Sequence, residues 1–301
     1  MNGSAIEAQS ASAEVEVFPG GTSRLSPEDR AALQRAVREL ERTSLAIRLS
    51  AILGEQARNL ASFIPAPLAD MANRAAQAAI RVSFNMALKS LAGKPLQDRR
   101  RLHKSLAVFA GAAGGAFGVS SLPLELPFST TILLRSVADI ARSEGHDLED
   151  PRAVLACLEV FALGGRAASG GFNVRDSDAQ EARLKDGAYL ETGYFALRAI
   201  LAKSVSEAAS YLAGRGTASM TAPALVRFVA QIGTHFGVAV SQKFVAQTVP
   251  LIGAAGGAAI NYAFADHFQT IARGHFTVMR LERRYGERIV RAEYDRLRRA
   301  T

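Results

Sequence analysis

The chain has 301 residues, of which 49% are apolar and 21% are charged, a balance that is typical of a globular protein and excludes general disorder. Its single cysteine excludes a disulfide framework and a cysteine-rich metal site within one chain, and it fits a reducing compartment. The net charge of +8, with 30 arginines and 6 lysines against 28 acidic residues, reflects either genome composition or an anionic partner such as a membrane surface or nucleic acid.

Residues 1–25 differ in composition from the rest of the chain. They are rich in Ser, Ala and Glu, and they lack both the basic start and the apolar stretch of a secretory signal. We therefore expect no signal peptide and a mobile N-terminal tail. Residues 26–301 are expected to form a single α-helical domain, because helical periodicity continues through them.

Local signals predict the first helices. Ser26 before Pro27 combines an N-cap residue with a proline at the first helical position. Apolar and small residues then recur every three or four positions, which predicts one helix that runs to about Leu60. Its expected buried stripe consists of Leu33, Val37, Leu40, Ser44, Ile47 and Ala51. Two further helices are predicted over about 68–91 and 97–119.

Proline and glycine residues delimit the remaining helices. Pro123 and Pro127 predict a short turn before a helix from about Phe128 to Gly145, and Asp150 with Pro151 starts the next. The last helices are predicted over about 182–213, 223–248, 251–284 and 287–299. The predicted fold class is all-α, with roughly eight helices in a bundle-like or orthogonal packing and two Gly/Ala-rich apolar helices in the centre.

Two uncharged stretches, residues 105–124 and 244–265, each contain Gly-Ala-Ala-Gly-Gly-Ala and are long enough to cross a bilayer. Glycines at four-residue spacing allow close helix packing or membrane contact. The candidate positions are Gly111, Gly114, Gly115, Gly253, Gly256 and Gly257. Alanine and glycine contribute little to insertion, and Gln247 and Asn261 oppose it. Three interpretations stay open: soluble core helices, reversible membrane binding, and permanent spans.

A polar stripe follows Pro127 on a helix that is otherwise apolar. Its members recur at spacings of four, four and three, and they are Thr131, Arg135, Asp139 and Arg142. Glu125 lies between two prolines just before them. Polar groups on a buried helix must pair with one another or line a cavity. The alternatives are an internal ion pair, Glu125–Arg135 or Arg135–Asp139, and a polar pocket that holds a ligand or an anionic headgroup.

Several segments together resemble the EcsC family of bacterial proteins. They are residues 122–142, which read LPLELPFSTTILLRSVADIAR, residues 155–165, residues 249–254 and residues 261–264. The resemblance covers roughly residues 30–285, and the LPxELP turn with its helix is its most specific part. It implies an α-helical cytoplasmic domain, linked to a membrane and loosely associated with membrane transport systems. It implies no catalytic residues.

Other chemistry finds little support in the sequence. The histidines form no H-E-x-x-H motif, and His267 and His275 are eight residues apart, too far along one helix to share a metal, so surface or partly buried roles are expected. We predict no metal and no cofactor, and a buried, inert Cys157. With no tryptophan and scattered aromatic residues, nucleic-acid binding is not expected.

These observations favour a non-enzymatic helical protein at or near the cytoplasmic membrane face, accessory to a membrane transport system. Basic residues at 99–101 and 104 precede the first uncharged stretch, as in a peripheral anchor on the anionic inner membrane, although they are also typical of a solvated helix start. The alternative is a hydrolase-type enzyme or small-ligand-binding domain, with a polar pocket around Glu125, Arg135 and Asp139 to which Glu159 or His235 contributes.

Overall fold

The computed structural model describes residues 25–41, 44–53, 66–91, 122–165, 193–214, 222–247 and 253–300. Nine helices, and no strand, lie within these ranges: α1 Pro27–Glu41, α2 Leu45–Leu53, α3 Ala66–Leu91, α4 Leu122–Ser143, α5 Pro151–Gly164, α6 Tyr194–Gly214, α7 Pro223–Gln247, α8 Gly253–Tyr285 and α9 Glu287–Arg299. The all-α class is confirmed. The predicted tail and the helix predicted over 97–119 lie outside the described residues.

Two predicted helix starts are confirmed by their capping bonds. The hydroxyl of Ser26 accepts a hydrogen bond from the backbone N–H of Asp29 at 3.1 Å. The carboxylate of Asp150 accepts one from the backbone N–H of Arg152 at 2.9 Å, with Pro151 at the first helical position. These sequence signals are local, because each cap residue accepts a hydrogen bond from a backbone N–H group in the first turn of its own helix.

The long first helix that periodicity predicts is wrong, because the chain forms α1 and α2 instead. Helix α2 begins at Leu45 and buries Leu45 and Leu49, while Ile47 is 63% exposed and Ala51 is exposed. The break shifts the helical phase, so the stripe that continues from α1 no longer faces the core.

The predicted turn around Pro123 and Pro127 is also wrong, because α4 begins at Leu122 and includes both prolines. Pro123 fits in the first turn, where helical N–H groups have no partner within the helix. Pro127 lies further in, and its carbonyl oxygen accepts hydrogen bonds from the hydroxyls of Ser83, at 3.1 Å, and Thr131, at 2.8 Å. These two hydrogen bonds, from a hydroxyl on α3 and a hydroxyl on α4, stabilise this part of the helix.

Helix α8 is the longest element and contacts α1, α2, α4, α5, α7 and α9. Its direction relative to α1 follows from two ion pairs: Asp29 bonds Arg284 at the start of α1, and Glu39 lies 3.6 Å from Arg273 near its end. The two helices are therefore antiparallel. Helix α2 continues in the direction of α1, because Arg48 pairs with Asp266, further toward the start of α8.

Helix α5 is the most completely buried of the described helices, since every residue from Ala153 to Gly164 is buried. At its end, Phe161 contacts the rings of Phe236 on α7 and Phe268 on α8, with ring centroids 4.9 and 5.5 Å apart. Cys157 lies in this core, and burial raises the pKa of its thiol to about 12, which confirms a buried and inert cysteine.

Helices α3 and α7 approach each other closely at two glycines four residues apart. A Cβ atom at Gly237 would lie 3.0 Å from Asn73 Cα, and one at Gly233 would lie 3.3 Å from Gln77 Cα. Both distances are tighter than nine in ten contacts of real Cβ atoms, so the two glycines permit the close packing of the helices. Neither glycine is in the uncharged stretches that the sequence analysis singled out for this role.

The second uncharged stretch, residues 244–265, is divided between the end of α7 and the start of α8. In α8, Gly257 is buried and Gly256 half-buried, and Gly253 is the first residue. Gly111, Gly114 and Gly115 lie outside the described residues. Among those residues one helix, α7, is long and apolar enough to cross a membrane, and more than half of its apolar window is buried inside the fold.

Candidate functional site

The polar stripe predicted on α4 divides into separate contacts. Thr131 is buried, and its hydroxyl bonds Ser83 Oγ at 2.9 Å as well as the carbonyl of Pro127. Thr131 therefore joins α3 to α4. Its hydrogen bonds are of the kind that fixes helix packing.

Asp139 and Arg142 form the part of the stripe that carries opposite charges. Asp139 is 5% exposed, and its Oδ1 lies 4.0 Å from Arg142 Nη1. Arg135, one turn before Asp139 on the same helix, is half-buried. Asp139 thus lies beside Arg142, and the Arg135–Asp139 pair stays a prediction. The side chain of Glu125 lies outside the described residues, so the predicted Glu125–Arg135 pair stays a prediction.

Glu159 belongs to a different group of polar side chains, at the junction of α5, α6 and α8. We call it the Glu159 cluster, and its members are Glu159, Tyr194, Arg198, His275 and Glu282. His275 and Tyr194 are 0% and 1% exposed, and Glu159 is 7% exposed. At the edge of the cluster, the side chains of Arg198 and Glu282 are 23% and 11% exposed.

The donor of each hydrogen bond within the cluster follows from the charge of Arg198. Arg198 Nη1 donates to Glu282 Oε1 at 2.8 Å and to the Tyr194 oxygen at 3.3 Å. A guanidinium can only donate, so the Tyr194 hydroxyl directs its own proton to His275 Nδ1, 2.8 Å away. In a neutral imidazole the other nitrogen then carries the hydrogen. Nε2–H of His275 therefore faces Glu159, whose Oε2 is 3.7 Å away.

Burial shifts the pKa values of Glu159, His275 and Tyr194. Desolvation raises the pKa of Glu159 to about 7, with Arg198 opposing the rise and Glu282 adding to it. Desolvation also holds the pKa of His275 well below its ordinary value, and the charge of Arg198 lowers it further. The pKa of Tyr194 is raised, chiefly by burial. His275 is thus a neutral imidazole, and Glu159 exchanges its proton near neutral pH.

Contacts with Glu41 and Tyr294 hold Tyr194 in place. Glu41, at the end of α1, accepts hydrogen bonds from the backbone N–H of Tyr194 at 3.2 Å and from the hydroxyl of Tyr294 at 2.8 Å. The Tyr194 and Tyr294 rings stack with centroids 5.7 Å apart. Residues of α1 and α9 therefore fix the position of the cluster.

The prediction of surface or partly buried histidines on α8 is wrong. His275 is in the cluster, and His267 is 1% exposed with its Nε2 2.7 Å from the carbonyl oxygen of Gly164. Eight residues place the two side chains about 80° apart around the helix axis. Both are buried because α8 is surrounded by several other helices. His235, half-buried on α7, lies with its carbonyl oxygen against Gly165 and outside the cluster.

Sequence reasoning named Glu159 but missed its partners. Tyr194, Arg198, His275 and Glu282 come from helices distant in the chain, and their spacing reflects helix packing more than any motif. One signal was available in the sequence. Tyr194 and Arg198 are four residues apart, and His275 and Glu282 are seven residues apart, so each pair lies on one face of its helix. Among the described residues, no group of three metal-ligating side chains converges.

The comparison with family models decides the affiliation of this fold. The model of the EcsC protein family matches residues 27–281, from the start of α1 nearly to the end of α8. The chain belongs to the EcsC family. Every described member of the Glu159 cluster except Glu282 falls within the matched region, and Glu282 follows it directly. Neither the comparison with curated proteins nor that with solved structures found a match.

Membership of the EcsC family confirms the resemblance that the sequence motifs indicate. The matched residues include the whole of α4, with the LPxELP sequence that opens it. In this EcsC-family chain, that sequence forms the first turns of a helix. The family affiliation fixes the kind of domain, and chemistry must be argued from its side chains.

Proposed function

We propose that this EcsC-family protein is a non-enzymatic helical protein that acts at the cytoplasmic face of a membrane, accessory to a membrane transport system. The observation that carries the proposal is a group of exposed apolar side chains at one end of the helices. We call it the apolar end, and its members are Ile52, Phe128 and Tyr262, which are 40%, 56% and 48% exposed. Exposed apolar groups of this size are typical of contact surfaces.

Helix directions support a common location for the three side chains. Gln269 Nε2 on α8 donates to Ser136 Oγ on α4, and His146, beyond the end of α4, bonds the carbonyl of Phe276. Helices α4 and α8 therefore run the same way. Phe128 and Tyr262 each lie about two turns before the Ser136–Gln269 contact.

Helix α2 brings the third side chain to the same end. Arg48 pairs with Asp266, and α2 runs antiparallel to α8. Ile52 lies one turn beyond Arg48, and Tyr262 lies one turn before Asp266. Ile52 and Tyr262 therefore both lie toward the end of the fold at which α8 begins.

Two helices begin at the apolar end with uncharged sequence. Helix α4 begins there with residues 122–124, the last part of one uncharged stretch, and α8 begins there with residues 253–265 of the other. A surface with apolar side chains and few charges can insert shallowly into the headgroup region without any helix that crosses the bilayer. Extensive burial of α7 inside the fold favours this shallow mode over a permanent span.

The test is flotation of the full-length protein with vesicles of anionic and of neutral lipid. The test variant carries Ile52→Ser, Phe128→Ser and Tyr262→Ser. If each side chain contributes about 1 kcal/mol by partial insertion, the triple variant loses about a hundredfold in partitioning. A control with Val226→Ser and Val238→Ser, both exposed on α7, should float like the wild type. Wild-type protein that stays at the bottom with both lipids would overturn the proposal.

A second candidate function is a hydrolase-type enzyme or small-ligand-binding domain at the polar stripe of α4. The observation in its favour is Asp139, a buried carboxylate beside the partly exposed Arg142. Buried carboxylates beside cations are frequent in binding sites. Native mass spectrometry of the purified protein tests it: a small molecule should accompany the wild type and be lost from Asp139→Asn. Equal spectra without a bound molecule would rule against this candidate.

A further inference from the structure

The Glu159 cluster has the geometry of a site for one exchangeable proton. Two ionisable side chains, Glu159 and His275, face each other across 3.7 Å in a buried junction. Nε2 of His275 makes no hydrogen bond within the described part of the chain. This distance is beyond hydrogen-bonding range, so the carboxyl group and the imidazole are neighbours that form no hydrogen bond with each other.

We propose that Glu159 and His275 form a buried site that binds a single proton, and that release of this proton loosens the packing of α5 against α6 and α8. This inference is independent of the membrane role proposed above. It assigns a pH-sensitive device to the core of the fold, in a region away from the apolar end.

The position of the proton follows from the partners of His275. Tyr194 donates to Nδ1, and Arg198 prevents Tyr194 from turning its proton away. Protonation of His275 would require this hydrogen bond to break and would place a second positive charge near Arg198. The proton therefore resides on the Glu159 carboxyl group, and the imidazole stays neutral with its hydrogen on Nε2.

Proton release changes the charge of the junction by one unit. The carboxyl O–H bond of Glu159 breaks, the proton passes to solvent at the partly exposed edge of the cluster, and a buried carboxylate remains. His275 Nε2–H faces this carboxylate from 3.7 Å, which is too distant for a hydrogen bond. The carboxylate is stabilised when water enters the junction, and the entering water loosens the packing of α5 against α6 and α8.

The surrounding charges keep the site responsive to pH. The other titratable or charged groups near the pair are Glu41 on α1, Arg142 on α4, His146 beyond α4, Tyr194 and Arg198 on α6, Glu282 on α8 and Tyr294 on α9. Arg198 is already paired with Glu282, so it attracts the Glu159 carboxylate only in part. On α7, which also packs against α5, His235 lies beside Gly165, six residues beyond Glu159.

The experiment is an infrared pH titration of the full-length protein that follows the carboxylic acid C=O band. At about pH 6, where ordinary carboxyls are ionised, the wild type should retain a carboxylic acid band that disappears as the pH passes the pKa of Glu159. The Glu159→Gln variant should lack this band. Glu39→Gln is the matched control, since burial also raises the pKa of Glu39, and it should keep the band of Glu159.

Two further readouts do not depend on the variant folding. Nitrogen NMR of the wild type should find His275 neutral, with hydrogen on Nε2, over about pH 5–8, the range in which ordinary histidines titrate. Hydrogen exchange of α5 amides, corrected for its intrinsic pH dependence, should accelerate severalfold once the proton is released. A protonated His275 beside an ionised Glu159, or α5 protection that is independent of pH, would overturn the proposal.

Discussion

Glu159 on α5 and His275 on α8 face each other at 3.7 Å inside the fold, with opposite effects of burial on their acidity. The folded protein keeps Glu159 protonated up to about pH 7 and keeps His275 neutral below its ordinary pKa of 6.5. Between about pH 4.5 and 6.5, folding therefore exchanges two separately solvated charges of the unfolded chain for two neutral groups in the core. This exchange leads to a distinct pH dependence of stability.

The first prediction concerns the free energy of unfolding of Glu159→Gln. The Glu159 pKa is raised from 4.5 to about 7 on folding, so its contribution to stability is present below pH 4.5 and is lost as pH rises to 7. The glutamine variant has no such loss. From pH 4.5 to pH 7, we expect the free energy of unfolding of the variant to rise by roughly 3 kcal/mol relative to that of the wild type.

Denaturant unfolding of both proteins across this pH range measures the difference. His275 behaves in the opposite sense, because its folded pKa is lowered: its contribution is present above pH 6.5 and is lost as pH falls. Between about pH 4.5 and 6.5 the contributions of Glu159 and His275 to the wild type therefore oppose each other. A constant difference between wild type and variant at all pH values would contradict the assigned acidity of Glu159.

The second prediction concerns Tyr194→Phe. The change removes the hydroxyl that bonds His275 Nδ1 and accepts from Arg198, and it leaves buried polar atoms without a partner. We expect a loss of about 1–3 kcal/mol in stability and a change of the His275 tautomer, detected by nitrogen NMR. Tyr294→Phe is the control, since it loses the bond to Glu41 and leaves the contacts of His275 intact. An unchanged tautomer in Tyr194→Phe would show that another group directs the imidazole.

The caps of α1 and α5 were predictable because the necessary groups are adjacent in the chain. Ser26 and Asp150 each bond an N–H within the next three residues. The break between α1 and α2 was not predictable from periodicity, because Ile47 and Ala51 continue the apolar spacing and are nevertheless exposed. Only the packing of Leu45 and Leu49 against other helices decides which face of α2 is buried.

The candidate site was only partly predictable for a similar reason. A stripe such as Thr131, Asp139 and Arg142 is visible because one helix repeats every 3.6 residues. The contact between Glu159 and His275 joins residues 116 positions apart (275 − 159), and no local pattern encodes that distance. A glutamate in the apolar run of α5 did indicate that a buried partner was needed, although it could not identify the partner.

The third prediction concerns Asp29, a 4% exposed carboxylate that accepts hydrogen bonds from Arg280, Arg284 and Tyr285. Burial would raise its pKa, but these partners outweigh burial and the pKa is lowered. Asp29→Asn should destabilise the protein by about 2 kcal/mol at neutral pH, less than a fully buried pair because both arginines are partly exposed.

The pH dependence distinguishes this charge effect from a packing defect. A lowered pKa gives stability that is present above the ordinary value of 3.8 and is lost as pH falls through the folded value, so wild type and variant should converge in acid. Glu293→Gln is the control, because its partners Arg30 and Arg296 are mostly exposed, and it should cost less than about 1 kcal/mol. A deficit of Asp29→Asn that persists unchanged in acid would assign the role to shape and hydrogen bonding.

The fourth prediction concerns the contact between α3 and α7. A methyl group at Gly237 would meet the backbone of Asn73 at 3.0 Å, and a backbone atom cannot move aside as a flexible side chain can. Gly237→Ala should therefore push the helices apart and cost about 1–3 kcal/mol, despite the higher helix propensity of alanine. Gly214→Ala is the matched control, since nothing lies within 4 Å of a Cβ atom there. Thermal unfolding of both variants decides the matter, because a Gly237→Ala protein as stable as Gly214→Ala would mean that α3 and α7 can separate without loss.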